Sequence, residues 1–587
     1  MNKNESITLA VTDLNNLGCG VGRIEGDGRV VFVRGAVTGD VIRAKIIKVT
    51  KSFCVAKLQE ILTPSPYRAQ TDPCQAPLAC GGCVYRHVTY EHELDRKREY
   101  VAHAFRKAGL SEVTVLPVKT TGRVGGYRNK GQYPVTKTKD GKIRAGFFAS
   151  KSHDVIPADT CAIQHPTFAP IVALICDFAE KHGWSVYDET SGVGLLRHIY
   201  LRVGEKTGQI MVCLVINGET LPCSDEFSYT IRVALPSVVG ILLNINRENT
   251  NVVLGKKYIT LWGNDFIEDE LCGLSFRISP DSFYQVNRDG AELLYGLAAD
   301  RAALTGEEIL MDLYCGTGTI GLSMASRAKK LCGVEIVPAA VDCARENVAR
   351  NGITNAEFFC ADAGNRENIL RAAGGTRPDV VVIDPPRKGS TRELVACLAG
   401  LEIPRIVYVS CDPDTLARDC VWFAEEGYEI GEVQPVDLFP RTGHVECVAL
   451  LSRQINVHKM KLNSTPFEMI KSGEKTIELR LYDEKRQRIK VGDKIVFTDN
   501  TTGETLNTTV TKLHKFNTFN ELYKSLPLLK CGYTTENVDK ATPADMEQYY
   551  SVEEQNKYGI VGIELCRPKQ VTDESVVCLT RNIGGIQ

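Results

Sequence analysis

Long uncharged apolar runs are missing from this chain, so no membrane-spanning helix is expected. The first residues, Met1 to Asp13, are polar and carry no apolar h-region, which argues against a secretory signal and for a cytoplasmic protein without a membrane. Charge of one sign is missing too: 70 Lys and Arg stand against 72 Asp and Glu, a net charge of −2. That balance excludes attraction to nucleic acid by the whole-protein field, and any such affinity must come from local basic patches. No internal repeat or low-complexity tract is present. Cysteine is abundant at 21, but an odd count without an exported context speaks against a disulfide framework. Metal binding, catalysis or burial must account for these thiols. With 587 residues the chain exceeds one core, and roughly 150 residues per domain suggests three to five units.

Residues 1–65 alternate short β-like runs with glycine punctuation, as in Val30-Val31-Phe32-Val33 and Val41-Ile42-Arg43-Ala44-Lys45-Ile46, which reads as a small barrel. Its bases, among them Arg23, Arg34, Arg43 and Lys45, outnumber acids such as Asp13, Glu25, Asp27 and Asp40. A cationic face for phosphates and an ordinary solvated surface both fit. Pro64, Pro66, Pro73 and Pro77 mark a linker, followed by a charged helix around Glu91 to Lys107. The segment 66–270 reads as mixed α/β without an assignable topology. From 271 to 453 strands and helices alternate, the signature of a doubly wound parallel sheet. Residues 454–587 turn rich in lysine and glutamate, in the style of a small appended β domain.

The apolar run Glu308 to Tyr314 breaks into Cys315-Gly316-Thr317-Gly318-Thr319 before a helix, a turn whose backbone can approach a ligand closely. The next strand, Leu331 to Glu335, ends in an acid 17 residues after Gly318, near the spacing at which a carboxylate meets ribose hydroxyls. The full dinucleotide fingerprint is absent, which favours S-adenosylmethionine over NAD. An acid at a strand end can also serve as a helix cap, and this applies most to Asp362.

Val380-Val381-Val382-Ile383 carries Asp384-Pro385-Pro386-Arg387 to the carboxyl edge of the sheet, where ligands of open α/β sheets bind. Ile406 to Ser410 delivers Cys411-Asp412-Pro413 to the same rim. Free cysteine is often a core residue, but a core thiol would sit inside the apolar run rather than at its end. Further upstream, Cys74-x5-Cys80-Gly81-Gly82-Cys83 gathers three thiols, and Cys161 can supply a fourth. Four thiolates suit an iron-sulfur cluster or structural zinc, and spacing alone leaves both open.

Phe283-Tyr284-Gln285-Val286-Asn287, Asp312 to Gly316, Asp384 to Arg387, Ser410-Cys411-Asp412-Pro413 and His444-Val445-Glu446 together resemble the bacterial RNA uracil-5-methyltransferases of the RumA/TrmA type, over residues 1 to about 453. The resemblance implies a Rossmann-like methyltransferase domain that uses S-adenosylmethionine, an N-terminal OB-type barrel similar to a TRAM domain, and a mixed α/β domain with a 4Fe-4S cluster on Cys74, Cys80, Cys83 and Cys161. It implies that Gln285, Tyr314, Glu335 and Asp384 bind the cofactor or frame the target base. Cys411 becomes the nucleophile, because carbon 5 of uracil attacks a methyl group only after a thiolate adds at carbon 6. Glu446 becomes the base that then removes the carbon-5 proton, with His444 as local rival. One departure is visible: the family commonly has asparagine after the nucleophile, and an unpaired Asp412 would raise the thiol pKa.

Cations and aromatics interleave in Gly125 to Tyr133, making Arg123, Arg128 and Lys130 candidate phosphate contacts, with an exposed basic strand as the alternative. A target uracil must leave its stack to reach the thiol. Pro466 to Arg480 and Val491 to Ile495 resemble an ASCH domain of the PUA-like β-barrel group, over about 457–566, with Lys475 and Arg480 as candidate contacts or surface ion pairs. Relatives of such domains include hydrolases, but Glu478 stands where a hydroxyl nucleophile would be wanted, so binding is expected. The expected function is methylation of a uridine in RNA by a monomer, with 23S ribosomal RNA preferred and transfer RNA as alternative. The rival from another class is a non-catalytic RNA-binding assembly factor on the same fold, against which retention of Cys411 and Glu446 speaks.

Overall fold

The computed structural model describes residues 2–566 apart from 25, 27, 73 and 455. Glu25, Asp27 and Pro73 of the barrel and linker readings, and the end of the last segment from 567 on, therefore lie outside the described residues. Two compact units emerge, one running from the N-terminus to Ser452 and one from Arg453 onward. None of the helices among the described residues is long and apolar enough to cross a membrane.

The first unit opens with a six-stranded sheet, in the order Ser6–Ala10, Val41–Val49, Phe53–Thr63, Val30–Arg34, Cys19–Arg23 and Asp13–Leu14. Its alternating residues build a separate small core of Leu9, Val31, Val33, Ile42, Ala44 and Ile46, the period-2 burial that a one-sided sheet demands. A seven-stranded sheet follows, with Lys130–Lys137 and Leu196–Val203 near its middle. Helix Phe168–Lys181 covers it through Phe168, Ile171, Ile175 and Phe178. The strand Leu196–Val203 is buried along its whole length, so it offers no alternation from which a topology could be read.

The third sheet holds seven strands: β1 (Ile309–Leu313), β2 (Lys330–Glu335), β3 (Ala356–Cys360), β4 (Val380–Ile383), β5 (Arg405–Ser410), β6 (Tyr428–Val436) and β7 (Glu446–Arg453). Their spatial order is β3-β2-β1-β4-β5-β7-β6. The first five run parallel, and β7 enters antiparallel to β5. Buried runs such as Val380-Val381-Val382-Ile383 are what a sheet covered on both faces requires. The order reverses between β1 and β4, and a crevice opens there beyond the carboxyl ends.

The charged helix Tyr90–Lys107 packs against this third sheet, sending Val101, Ala104 and Phe105 into one core with Leu416, Ala417 and Val433. Lys97 is 1% exposed and grips two buried carboxylates, Glu93 at 2.8 Å and Asp437 at 2.7 Å. Tyr90 donates a further hydrogen bond to Asp437 (2.8 Å), and Arg441 pairs with the other oxygen of Glu93 at 3.4 Å. Two cations thus balance two acids.

The second unit is a five-stranded sheet ordered Val457–Leu462, Lys494–Asp499, Thr505–Phe516, Ile560–Cys566 and Ile477–Leu481. Its first pair is parallel and the rest antiparallel. Phe467, Ile470, Ile495, Phe497 and Ile563 form its main core.

Removing one member of a buried ion cluster leaves its partners charged and unpaired. Lys97→Met is expected to destabilise the first unit by about 3–5 kcal/mol, measured as a shift of its denaturant unfolding transition, whereas Lys107→Met, at an exposed site 71% accessible, should leave the transition in place.

Candidate active site

At the carboxyl end of β1 the chain turns through Tyr314 (φ 61°), Gly316 (φ 53°) and Gly318 (φ 82°) before the short helix Thr319–Met324. Asp312 is fully buried and one of its oxygens accepts the Gly321 amide at 2.8 Å. Its other oxygen has no partner, and burial pushes the carboxyl up to about 7. Glu335, closing β2, accepts amides from Gly316 (3.2 Å), Ile336 (2.8 Å) and Val337 (2.9 Å), and so ties the glycine turn to the next strand. Ile336 and Val337, which follow Glu335 directly, are an apolar pair exposed at 67% and 50%. Asp362 lies exposed and accepts the Gly364 amide at 2.8 Å in a local turn, while Asn365 rather than Asp362 caps the next helix.

Sequence reasoning missed two buried groups under this crevice. Tyr295 shares its hydroxyl with Thr319 (3.1 Å) and also bonds the side chain of Gln285, which brings Gln285 to the glycine turn. Asn347 donates to the Thr317 carbonyl at 3.0 Å. Both lie on helices in positions that read as ordinary core, so only their polarity on a buried face was available as a signal. Tyr314 is half-buried. The Ser390 amide is held by the buried Asp419 at 2.6 Å, which pins the loop after Asp384 to helix Pro413–Glu425.

The β5–β7 register pairs Ser410 with Cys447 as its last rung, so the next residues, Cys411 and Glu446, are neighbours where the two strands open. Cys411 is partly exposed and Glu446 is 6% exposed. Burial, then Glu446 and Asp384, push the Cys411 thiol up to about 11, while Arg387 pulls it down. Burial and Asp384 push Glu446 up to about 8, again opposed by Arg387. Desolvation alone pushes Asp384 up to about 7. These four residues form one electrostatic neighbourhood. His444 reaches solvent, yet partial desolvation of its ring, followed by the charges of Arg387, Lys97 and Arg128, lowers its pKa.

Asp412 proves to be the N-cap of helix Pro413–Glu425, accepting the Thr415 amide at 3.0 Å, with Pro413 in the first helical position. Its carboxylate is engaged there. The largest charges raising Cys411 are Glu446 and Asp384, and asparagine would make the same cap as Asp412.

The four thiols Cys74, Cys80, Cys83 and Cys161 come together although Cys161 is far away in sequence. Burial and the other three sulfurs push Cys83 up to about 12. They line a cavity of about 230 Å³ together with Arg86, Arg128 and Lys130, and Arg86 donates to Cys74 at 3.2 Å. Among the described residues, the one trio of His, Cys, Asp or Glu with ligand atoms all within 4.8 Å of one another is His182, Cys223 and Glu226. No three of the four thiols meet that spacing, whereas tetrahedral zinc holds its sulfurs about 3.8 Å apart at its usual bond length.

Of the basic candidates, Arg123 is occupied by Glu205 and by Asp289 at 3.3 Å. Lys130 is pushed down to about 8 by burial beside Arg202 and Arg128. In the second unit Glu478 is buried between Lys475 and Arg480, each at 2.9 Å, so this trio forms an internal ion cluster rather than a surface one.

A parallel sheet with this strand order, a glycine turn and a strand-end acid defines a Rossmann-like, S-adenosylmethionine-dependent methyltransferase. Comparison makes the assignment specific. Residues 245–454 match the tRNA (Uracil-5-)-methyltransferase family model, 2–58 the TRAM domain and 460–569 the ASCH domain. An RNA methyltransferase of Clostridium acetobutylicum, named as uncharacterized, is 43% identical over 456 residues, covering 77% of this chain and 98% of the relative. One from Halalkalibacterium halodurans, named likewise, is 40% identical with the same coverage. The solved structure of Pyrococcus abyssi tRNA (uracil-54, C5)-methyltransferase with S-adenosyl-L-homocysteine matches with a TM-score of 0.62 and 29% identity, over 76% of this chain and all of that one. The chain belongs to the RNA uracil-5-methyltransferase family.

Because Asp412 acts as a cap, Asp412→Asn should leave methyl transfer and stability within error of the parent. Asp412→Ala should cost about 1 kcal/mol of stability through loss of the cap, and a titration of the Cys411 thiol in Asp412→Asn should show no downward shift.

Proposed function

We propose that this enzyme methylates carbon 5 of a uridine in 23S ribosomal RNA, with Cys411 as nucleophile and Glu446 as proton acceptor. What carries the reading is the β5–β7 register, which leaves thiol and carboxylate side by side at the crevice rim next to Asp384. In the reaction the Cys411 sulfur bonds carbon 6 of the uracil, and the ring's electron pair moves toward carbon 5 and oxygen 4. Carbon 5 takes the methyl group from the sulfonium, whose carbon–sulfur bond breaks to leave S-adenosylhomocysteine. Glu446 then takes the proton from carbon 5, the carbon 6–sulfur bond breaks, and Cys411 leaves as thiolate. Asp384 and Arg387 frame the base. Gln285, Tyr314 and Glu335 hold the methyl donor, Glu335 at the ribose, and Ile336 with Val337 offer an apolar bed for its adenine.

The four-thiol cavity fits a 4Fe-4S cluster better than zinc. Its sulfurs are spaced too widely for one metal ion, and Arg86, Arg128 and Lys130 complement the negative charge of such a cluster. Cys74, Cys80, Cys83 and Cys161 would hold it. When bound, the group supplies a structural crosslink, since methyl transfer consumes no electrons. The TRAM-like sheet and the ASCH-like unit are read as RNA contacts of a cytoplasmic monomer, whereas Arg128 and Lys130 belong to the thiol cavity. A second reading, transfer RNA as substrate, is favoured by the name of the Pyrococcus abyssi neighbour. Mapping 5-methyluridine after incubation with deproteinised 23S RNA and with tRNA transcripts decides between them.

RNA carrying 5-fluorouridine has no proton to surrender after methyl transfer, so it should trap a covalent complex that Cys411→Ala abolishes. Active enzyme that forms no such complex would refute the mechanism. Glu446→Gln should accumulate methylated adduct on ordinary RNA.

A thiol near 11 gains thiolate about tenfold per pH unit, and a carboxyl near 8 becomes a competent acceptor only above that value. The thiol effect raises methyl transfer with pH, so single-turnover methylation should climb steadily between about pH 6.5 and 9, while ionisation of Glu446 should speed release of the methylated product over the same range. A flat profile would place the ionisations elsewhere. Iron and acid-labile sulfide on anaerobically purified protein should each approach four per chain; zinc instead would overturn the cluster assignment.

A further inference from the structure

The segment Asp437 to Glu446 is held by parts of the chain that lie far from it in sequence. The amides of Val84 and Tyr85, directly after Cys83, both donate to the Arg441 carbonyl, at 2.9 and 3.1 Å. Arg441 itself adopts a left-handed backbone (φ 70°). Its amide donates to buried Glu93 at 2.7 Å, and its guanidinium bonds the Val88 carbonyl at 2.8 Å. Tyr127 donates to the Pro440 carbonyl (2.9 Å), Lys97 to that of Phe439 (3.2 Å), and Asn287 to that of Leu438 (2.8 Å). At Gly443 any side chain would run into the Asn16 carbonyl, in the turn between strands Asp13–Leu14 and Cys19–Arg23.

Such a density of constraints on one short loop calls for a reason. The loop ends at Glu446, five residues beyond Arg441. A carboxylate that must reach a single carbon-bound proton gains most from rigid placement, since a displacement of about 1 Å can cost about a hundredfold in rate.

We propose that the cysteine loop positions the proton acceptor: Cys83-Val84-Tyr85 and Glu93 clamp Arg441, and Arg441 sets the loop so that Glu446 can complete the second half of the reaction. Arg441 is a positioning residue, its amide, carbonyl and guanidinium being engaged by Glu93, Val84, Tyr85 and Val88. The inference rests on the proposed role of Glu446. It predicts that loosening the clamp separates the two halves of the turnover, leaving thiol addition and methyl transfer, which depend on β4 and β5, while slowing proton removal and release. It also gives the thiol cluster a task without redox chemistry, because what holds Cys83 in place holds Arg441.

The test uses the full-length holoenzyme and ordinary RNA. Methyl incorporation in a single turnover is compared with the fraction of enzyme left covalently attached to methylated RNA on denaturing gels. Arg441→Gly keeps the left-handed backbone and removes the side chain. It should slow release about tenfold or more while methyl incorporation stays within about threefold, with adduct accumulating. Cys83→Ser should shift the partition the same way. Glu93→Gln, which retains an acceptor for the Arg441 amide, should be milder. Methylation and release falling together in Arg441→Gly would mean only a structural role and would overturn the proposal. So would Cys83→Ser releasing product at the parental rate. Glu446→Gln runs alongside as the control: if it leaves no adduct, the role of Glu446 fails; if it leaves adduct and Arg441→Gly does not, the clamp alone fails.

Discussion

The ion cluster of Lys97, Glu93, Asp437 and Arg441 is the junction on which the geometry of the first unit depends. Lys97 and Asp437 lie 340 residues apart, and their contact fastens the helix Tyr90–Lys107 to the loop that leads into β7. A buried ion pair is weak as a source of net stability, because desolvation offsets most of its Coulombic gain. Its value lies in specificity: two carboxylates that cannot be left uncompensated accept only one arrangement of helix and loop. The antiparallel entry of β7 beside β5 is then imposed from outside the sheet.

That entry converts a common fold into this site. Parallel strands β1 to β5 all end at the same rim and could present a nucleoside donor, as any open α/β sheet can. They bring Asp384 of β4 beside the strand-end thiol, but no second carboxylate. An antiparallel β7 begins where β5 ends, so the first residue of one meets the residue just past the other. Glu446 owes its neighbourhood with Cys411 to this reversal, and its burial to the clamp on the preceding loop.

Much of this was legible in the sequence. The β1 turn and the ends of β4 and β5 announced themselves because a short apolar run that stops at Asp384 or Cys411 must deliver that residue to an edge. The role of Asp412 was also written there, since Asp-Pro before a helix is a cap followed by its preferred first residue, yet proximity to the thiol drew attention to charge instead. The central sheet could not be read, because Leu196–Val203 is buried on both faces and shows no alternation. Nor could the ion cluster, whose members look like solvated helix and loop charges until helix Tyr90–Lys107 is found packed on the third sheet. In the last unit Lys475, Glu478 and Arg480 have the spacing of surface pairs, and only the fold shows that Glu478 is 3% exposed.

The electrostatics of the crevice make sense only with its substrate. Asp312, Asp384, Glu446 and Cys411 are all raised by burial, several by one another, and Arg387 is the cation that opposes this at Glu446 and Cys411. A site with such a surplus of acids and a single opposing guanidinium suits a ligand that brings positive charge, and a sulfonium does so without hydrogen-bond donors of its own. On the proposed mechanism that charge would stabilise the thiolate of Cys411 when addition is required. Methyl transfer would remove it, so the neutral thioether product would be held less tightly by the same acids. The surplus that raises the Cys411 thiol would then couple its activation to the presence of the donor and favour departure of the spent one.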